Sequence, residues 1–191
     1  GIELSKKIKF NSITSHIPII ILTANTTNKD KMEGYETGAD EYIIKPYDED
    51  FLKNRIKNLL NGRKLLKQNF VNDKLLNPKE LTVNSKDQIF LENLYKSLEE
   101  NLQSNNLKSG FISKQMNMSH SSLYKKIKSL TGLTYIEFIR DYRLSIAKQL
   151  IEEMGYSVSE ACYKVGYSDR KYFSKLFKSK FRKTPSFYLK S

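Results

Sequence analysis

The sequence predicts a mainly α chain. An all-α C-terminal part carries two helix-turn-helix modules joined by a long helix, and an incomplete α/β segment precedes it. Three observations predict this. Residues 113–139 and 162–189 read as two copies of one basic helical module. From Ser85 onward helix start signals recur with no strand pattern between them. In the first 62 residues, by contrast, short apolar runs alternate with helical periodicity.

The duplication is visible residue by residue. Met116-Asn117-Met118-Ser119 aligns with Val165-Gly166-Tyr167-Ser168 at an offset of 49. With one residue inserted after the serine, the offset becomes 50. Leu123 then meets Phe173, Lys125 meets Lys175, Ile127 meets Phe177, Lys128 meets Lys178 and Thr134 meets Thr184. Core packing does not require the same lysine pattern twice, whereas gripping a periodic polyanion does.

Taken in order, Leu4, Ile8 and Ile13 suggest the end of an amphipathic helix. Ile17 to Leu22 is an apolar run ending at Thr23, which predicts a strand covered on both faces. A polar helix is expected near Asn28 to Thr37, stopped by Gly38. Glu41 to Ile44 is a second short strand closed by Lys45-Pro46. Asp48 opens a helix through Phe51, Leu52, Ile56, Leu59 and Leu60, with an end at Gly62. Strands separated by helices imply parallel pairing. Residues 63–84 read as a linker; Arg63 to Phe70 can extend the helix, and Asn77-Pro78 breaks it.

The remainder, 85–191, reads as six helices at about 86–104, 110–117, 120–131, 135–153, 158–165 and 169–182. Ser85 with Gln88, Thr134 with Glu137 and Ser157 with Glu160 fit the capping-box pattern, in which side chain and backbone satisfy each other's donors. Ser119 and Ser168 are N-cap candidates, and Gly132 supplies a stop. Along the long helix, Ile136, Ile139, Ile146 and Leu150 form a stripe expected to pack.

The 191 residues carry a net charge of +12, distributed unevenly. Residues 104–191 hold 17 Lys and Arg against 6 Asp and Glu, and the first 103 hold 16 against 15. The basic excess therefore belongs to the repeat-bearing part and favours a polyanionic partner. Cys162 is the single cysteine, so no internal disulfide can form, and a reducing, cytoplasmic setting is expected. No apolar run approaches the roughly 20 residues of a membrane span, so no membrane partner is expected. His16 and His120 lack metal-ligand spacing, and no Gly-rich phosphate loop or nucleophile elbow occurs. No enzyme, metal or cofactor is predicted.

A helical wheel separates two faces of the helix after Ser119. Leu123, Ile127 and Leu130 point inward, Ser121, Lys125 and Lys128 point outward, and Ser122 and Tyr124 flank that ridge. In the second copy Phe173, Leu176 and Phe177 point inward. Lys171, Lys175 and Lys178 point outward, bordered by Arg170, Tyr172 and Ser174. Each ridge suits a DNA major groove in width and chemistry. Ser119 and His120, at the helix start, extend the candidate contacts. A connecting helix of about 19 residues spans roughly 28 Å, nearly one turn of DNA. Since Ser121 stands where the second copy has Lys171, the first copy is expected to grip more weakly.

The stretches MSHSSLYKKIKSLTGLTYIEFIRDYRLSIAKQLIEE and SVSEACYKVGYSDRKYFSKLFKSKFRKTPSFY closely resemble the DNA-binding domain of the AraC/XylS family, over about residues 85–190. The resemblance implies a bacterial transcription factor whose third and sixth helices read adjacent major grooves of double-stranded DNA. Its groove readers fall on Ser121, Tyr124 and Lys125, and on Arg170, Lys171, Tyr172 and Lys175. Arg182-Lys183 departs from that family, which usually has a glycine there. Cys162 occupies the place of a small buried residue.

The stretches HIPIIILTA and GADEYIIKPY resemble the fourth and fifth strands of a response-regulator receiver domain, a flavodoxin-like fold. By that resemblance Thr23 senses the phosphoryl group, Lys45 pairs with it and Tyr42 is the aromatic switch. The resemblance puts the phosphoacceptor aspartate upstream of Gly1, and Asp30, Asp40, Asp48 and Asp50 do not occupy its place. The combination resembles the C-terminal end of a Bacteroidetes hybrid two-component regulator, whose sensor and histidine kinase lie upstream. A homodimer through the receiver is implied for such a parent. The alternative reading is an interaction module in which residues 1–62 mediate association, across a face from Asn28 to Leu60. Two parallel strands form a poor sheet, so residues 1–62 are expected to be marginal alone, with 85–191 folding independently.

Overall fold

The computed structural model describes residues 1–11, 13–24, 36–71, 85–103, 107 and 109–189, with the backbone alone at 65–71, 85 and 109. Helix α1 (Ile2–Phe10) leads into strand β1 (Ile20–Thr23), which pairs in parallel with β2 (Glu41–Ile44). The register sets Ile21 beside Tyr42 and Thr23 beside Ile44. The helix expected near Asn28 to Thr37 falls largely outside the described residues. Gly38, its expected stop, has φ of 76°.

Three expectations in this segment need correction. The fully buried positions of α1 are polar, Ser5 and Lys9; of the expected apolar residues Ile8 is half-buried, Leu4 is exposed and Ile13 lies beyond the helix. Ser5 Oγ shares a hydrogen bond with Thr37 Oγ1, and Lys9 Nζ meets Asp40 Oδ2 at 2.5 Å. Asp40 and Thr37 thus supply partners for the polar residues that α1 turns inward. β1 buries Ile21 and leaves Leu22 open, so this strand is covered on one face only, and Ile17, expected within it, lies before it and is exposed. Gly62 does not end its helix either. α2 (Glu49–Val71) runs through it for 23 residues, because a helical glycine stops a helix only where it turns left-handed.

The C-terminal part is helical among its described residues: α3 (Ser85–Glu100), α4 (Ser109–Gln115), α5 (His120–Thr131), α6 (Tyr135–Glu152), α7 (Val158–Lys164) and α8 (Arg170–Phe181), closed by a 3₁₀ turn at Pro185–Tyr188. Capping boxes are present at Thr134/Glu137 and Ser157/Glu160. The third rests on the Ser85 side chain, outside the described residues; the Gln88 amide donates to Glu92. For α8 the cap is Asp169 rather than Ser168. Its Oδ1 accepts from the amides of Lys171 and Tyr172 at 2.7 and 3.0 Å, and an ionised acceptor at the positive helix end outcompetes a hydroxyl.

Two apolar clusters form around α6. The first joins Leu91, Leu94 and Leu98 of α3 to Ile112, Leu123, Ile127 and Phe138. The second joins Leu144, Ala147 and Ile151 to Ala161, Cys162, Phe173 and Phe177. Leu102 and Ile146 touch both. Of the expected α6 stripe, Ile139 is buried and Ile146 and Leu150 pack partly, but Ile136 is 72% exposed. Two positions along a helix rotate by about 200°, which sets Ile136 almost opposite the buried Phe138. The chain is thus mainly α, with a partial α/β layer at its N-terminal end.

Candidate nucleic-acid interface

Each candidate reading helix is fixed at both ends by its own sequence. The Ser119 hydroxyl accepts from the Ser122 amide to start α5, and Gly132, at φ 78°, ends it. Asp169 starts α8, and Arg182 ends it at φ 60° in the same left-handed turn. The N-cap of α6 is Thr134, and Thr184 takes the N-cap position of the 3₁₀ turn, so the repeat extends beyond both helices.

The two inward faces match the wheel, with Lys126 and Thr131 also buried in α5. Leu123 and Ile127 are fully buried in α5, as are Phe173 and Phe177 in α8, while Leu130 and Leu176 pack partly. The ridges are open: Ser121, Lys125 and Lys128 are exposed in the first copy, and Lys171, Lys175 and Lys178 in the second. Ser119, His120, Arg170 and Tyr172 are also exposed, and Ser122, Tyr124 and Ser174 are half-buried flanks. The Tyr124 ring is stacked between His120 and Tyr135, with centroids 5.2 Å from each. Tyr135 donates its hydroxyl to the Leu107 carbonyl, and burial pushes that phenol well above its ordinary range. Tyr124 is therefore braced from behind.

The charged one of these additions is Lys126, whose side chain is fully buried on the hidden face of α5; Thr131 donates its hydroxyl to the Ile127 carbonyl at 2.7 Å. It meets Asp87 Oδ1 at 3.0 Å and donates to Ser15 Oγ at 2.9 Å, with its ammonium 4.7 Å from the Phe90 ring centroid. Burial lowers its pKa, and the Asp87 carboxylate opposes that shift. The wheel of the first copy left Lys126 unplaced. The repeat contained the signal, since an offset of 50 puts Lys126 on inward-facing Leu176.

Further polar contacts hold the second module, and composition did not reveal them. Lys180 of α8 meets Asp141 of α6 at 3.3 Å, and Arg140 meets the same carboxylate at 2.9 Å. Arg143 of α6 donates to the Leu102 carbonyl at 3.2 Å and lies 5.9 Å from the Tyr167 ring centroid. Cys162 is buried against the Tyr167 carbonyl, and burial pushes its thiol pKa up. That is the setting of a packing residue.

In the N-terminal segment Thr23 ends β1 and Lys45 directly follows β2, and the Lys45 amide donates to the Thr23 carbonyl at 2.6 Å. Tyr42 is buried beside Ile21, and the Lys45-Pro46 peptide is cis. Asp40 is committed to Lys9 and Arg63, Asp48 accepts from the Phe51 amide, and Asp50 pairs with exposed Lys53. Asp30 lies outside the described residues. Among the described residues no group of three or more His, Cys, Asp or Glu could hold a metal, and no helix is long and apolar enough to cross a membrane.

Comparison with known proteins matches residues 112–191 to a helix-turn-helix domain and residues 1–57 to a response regulator receiver domain. A protein named histidine kinase P4 from Formosa agariphila is 42% identical over 188 residues, which are 98% of this chain and 14% of that protein. The phosphate regulon transcriptional regulatory protein PhoB of Escherichia coli is 46% identical over 57 residues, 30% of this chain and 25% of PhoB. The Msm operon regulatory protein of Streptococcus mutans is 39% identical over 79 residues, 41% of this chain and 28% of that protein. The chain thus spans less than a third of each of these relatives. Both domain types are regulatory rather than catalytic. The chain joins response-regulator receiver sequence to a helix-turn-helix DNA-binding domain of the AraC family.

Proposed function

We propose that this chain is the output end of a two-component phosphorelay, a sequence-specific regulator of transcription that reads two successive major grooves with α5 and α8. The observation that carries the reading is the pair of matched open ridges, Ser121/Lys125/Lys128 and Lys171/Lys175/Lys178, on helices capped at both ends. The 18 residues of α6 span about 27 Å, which suits half-sites one DNA turn apart. In this reading residues 1–62 are receiver, 63–84 linker and 85–191 reader. Base contacts come from Ser121, Tyr124, Lys125, Arg170, Lys171, Tyr172 and Lys175, and phosphate contacts from Ser119, His120, Ser122, Lys128, Ser174 and Lys178.

Affinity for duplex DNA measured against salt tests this. Several phosphate contacts give a steep negative slope of log affinity on log salt, and a flat slope would sink the idea. Lys125→Ala should change the preferred sequence, whereas Lys178→Ala should weaken all duplexes about equally.

A second reading, association through the receiver segment, draws on Ile56 and Leu60 of α2, four residues apart on one face of the helix. Each is more than two-fifths exposed, an apolar presence that a partner helix would cover. In the parent protein this face would form a homodimer. Dimerisation that survives deletion of residues 1–62 would count against it.

A further inference from the structure

The receiver segment and the first reading helix meet in a buried polar node. Ser15 Oγ donates to Asp87 Oδ1 at 2.8 Å, Lys126 Nζ donates to Ser15 Oγ at 2.9 Å, and Lys126 meets the same Asp87 oxygen at 3.0 Å. Ser15 and Lys126 are fully buried and Asp87 nearly so. Ser15 comes from the turn between α1 and β1, Asp87 from the first turn of α3 and Lys126 from the hidden face of α5.

Two more cations clamp the same turn. Lys86 donates to the Phe10 carbonyl at 2.7 Å with its ammonium 4.3 Å from the Phe10 ring centroid, and Arg63 of α2 donates to the His16 carbonyl. α2 also packs against α5. The turn is thus gripped from α2, α3 and α5.

The node has no counterpart in the second copy, where Leu176 stands in the place of Lys126 and packs in a hydrocarbon cluster. A buried ion pair is seldom more stabilising than hydrocarbon of similar volume, but it specifies its partners closely. A lysine at this position is therefore explained by what it reaches. Lys125, next along the helix, lies on the open ridge, so Ser15 is anchored behind the ridge and leaves it uncovered.

We propose that Ser15, Asp87 and Lys126 form a coupling node through which the receiver segment sets the orientation of the first reading helix, with Lys126 as its positioning residue, while the second reading helix is left independent. The DNA half of this proposal rests on the function proposed above; the docking half does not.

The test uses the full chain with Lys126→Leu, which copies the second module, and Ser15→Ala, which leaves the Asp87–Lys126 pair in place. Hydrogen exchange should accelerate at least tenfold across residues 13–24 in both variants, with α6 still protected. Selection of bound duplexes should show relaxed preference in the half-site read by α5 and unchanged preference in the half-site read by α8. Unchanged exchange at 13–24 in both variants overturns the node. Accelerated exchange with both half-site preferences unchanged, or with both relaxed equally, overturns the positioning role. If the wild-type chain binds no duplex, the DNA reading fails instead, and the exchange result still decides the docking.

Discussion

Gly166 stands so close to Leu102 that a Cβ on the glycine would lie 2.8 Å from the Leu102 carbonyl oxygen. The same Cβ would meet the Arg143 guanidinium at 3.0 Å, and the backbone there has φ of 83°. The turn of the second module thus closes directly onto the end of α3, through the one residue type that permits both the angle and the approach.

Gly166→Ala should destabilise the chain by about 2–4 kcal/mol, since left-handed strain and a backbone clash act together. Urea unfolding would read this as a lower midpoint at unchanged slope. A loss under about 0.5 kcal/mol would mean that the α3 end moves aside freely.

Arg182 offers the opposite case. It ends α8 at φ 60° where Gly132 ends α5 at φ 78°, and its side chain is exposed. Arg182→Gly removes left-handed strain at an open position and should stabilise by about 0.5–1 kcal/mol. Thermal unfolding should shift upward by a few degrees; a downward shift would show that the guanidinium makes a compensating contact at the helix end.

Asp141 holds Lys180 and Arg140, and the side chains of Asp141 and Lys180 are only 11% and 10% exposed. Asp141→Ala strands the Lys180 ammonium in that pocket and should cost roughly 2–4 kcal/mol. The double variant with Lys180→Ala should recover part of the loss, giving a coupling of about 1–3 kcal/mol. Strict additivity would refute the pairing.

His16 supplies a pH signature for the coupling turn. Burial lowers its pKa, and the Lys126 charge lowers it further. The folded chain therefore takes up this proton less readily than the unfolded chain, whose imidazole titrates near 6.5. Stability should be flat in this respect above that value and fall as pH drops from it towards the folded pKa. His16→Gln should flatten that part of the profile, and an identical acid slope in variant and wild type would count against it.

The repeat made the two reading helices legible because each carries its own start and stop. The span 120–131 and two capping boxes could be read directly, since cap chemistry is local. Ser168 was a plausible cap beside a better one, and only the geometry of two amides on Asp169 separates them. Ile136 deceived because an apolar residue near a stripe need not lie on it.

Long-range pairing was hidden for a different reason. Lys126 resembles any surface lysine until Ser15 is brought to it, and that partner lies 111 positions away. Lys180 and Asp141, 39 positions apart, are hidden in the same way. Gly62 misled because a glycine signals a stop only when its backbone turns left-handed, which composition does not record. The ridges of α5 and α8 were legible by periodicity; the carboxylates that hold the helices behind them were not.

The mismatch between Lys126 and Leu176 gives the two copies different portability. The second module rests on hydrocarbon, the Asp141–Lys180 pair and the tight Gly166 turn, all within the helical part. A designer could graft it as a cassette into a chimera that keeps α6 and the end of α3. The first module, lifted without the receiver segment, would keep the Asp87–Lys126 pair and lose the hydrogen bond from its hidden lysine to Ser15.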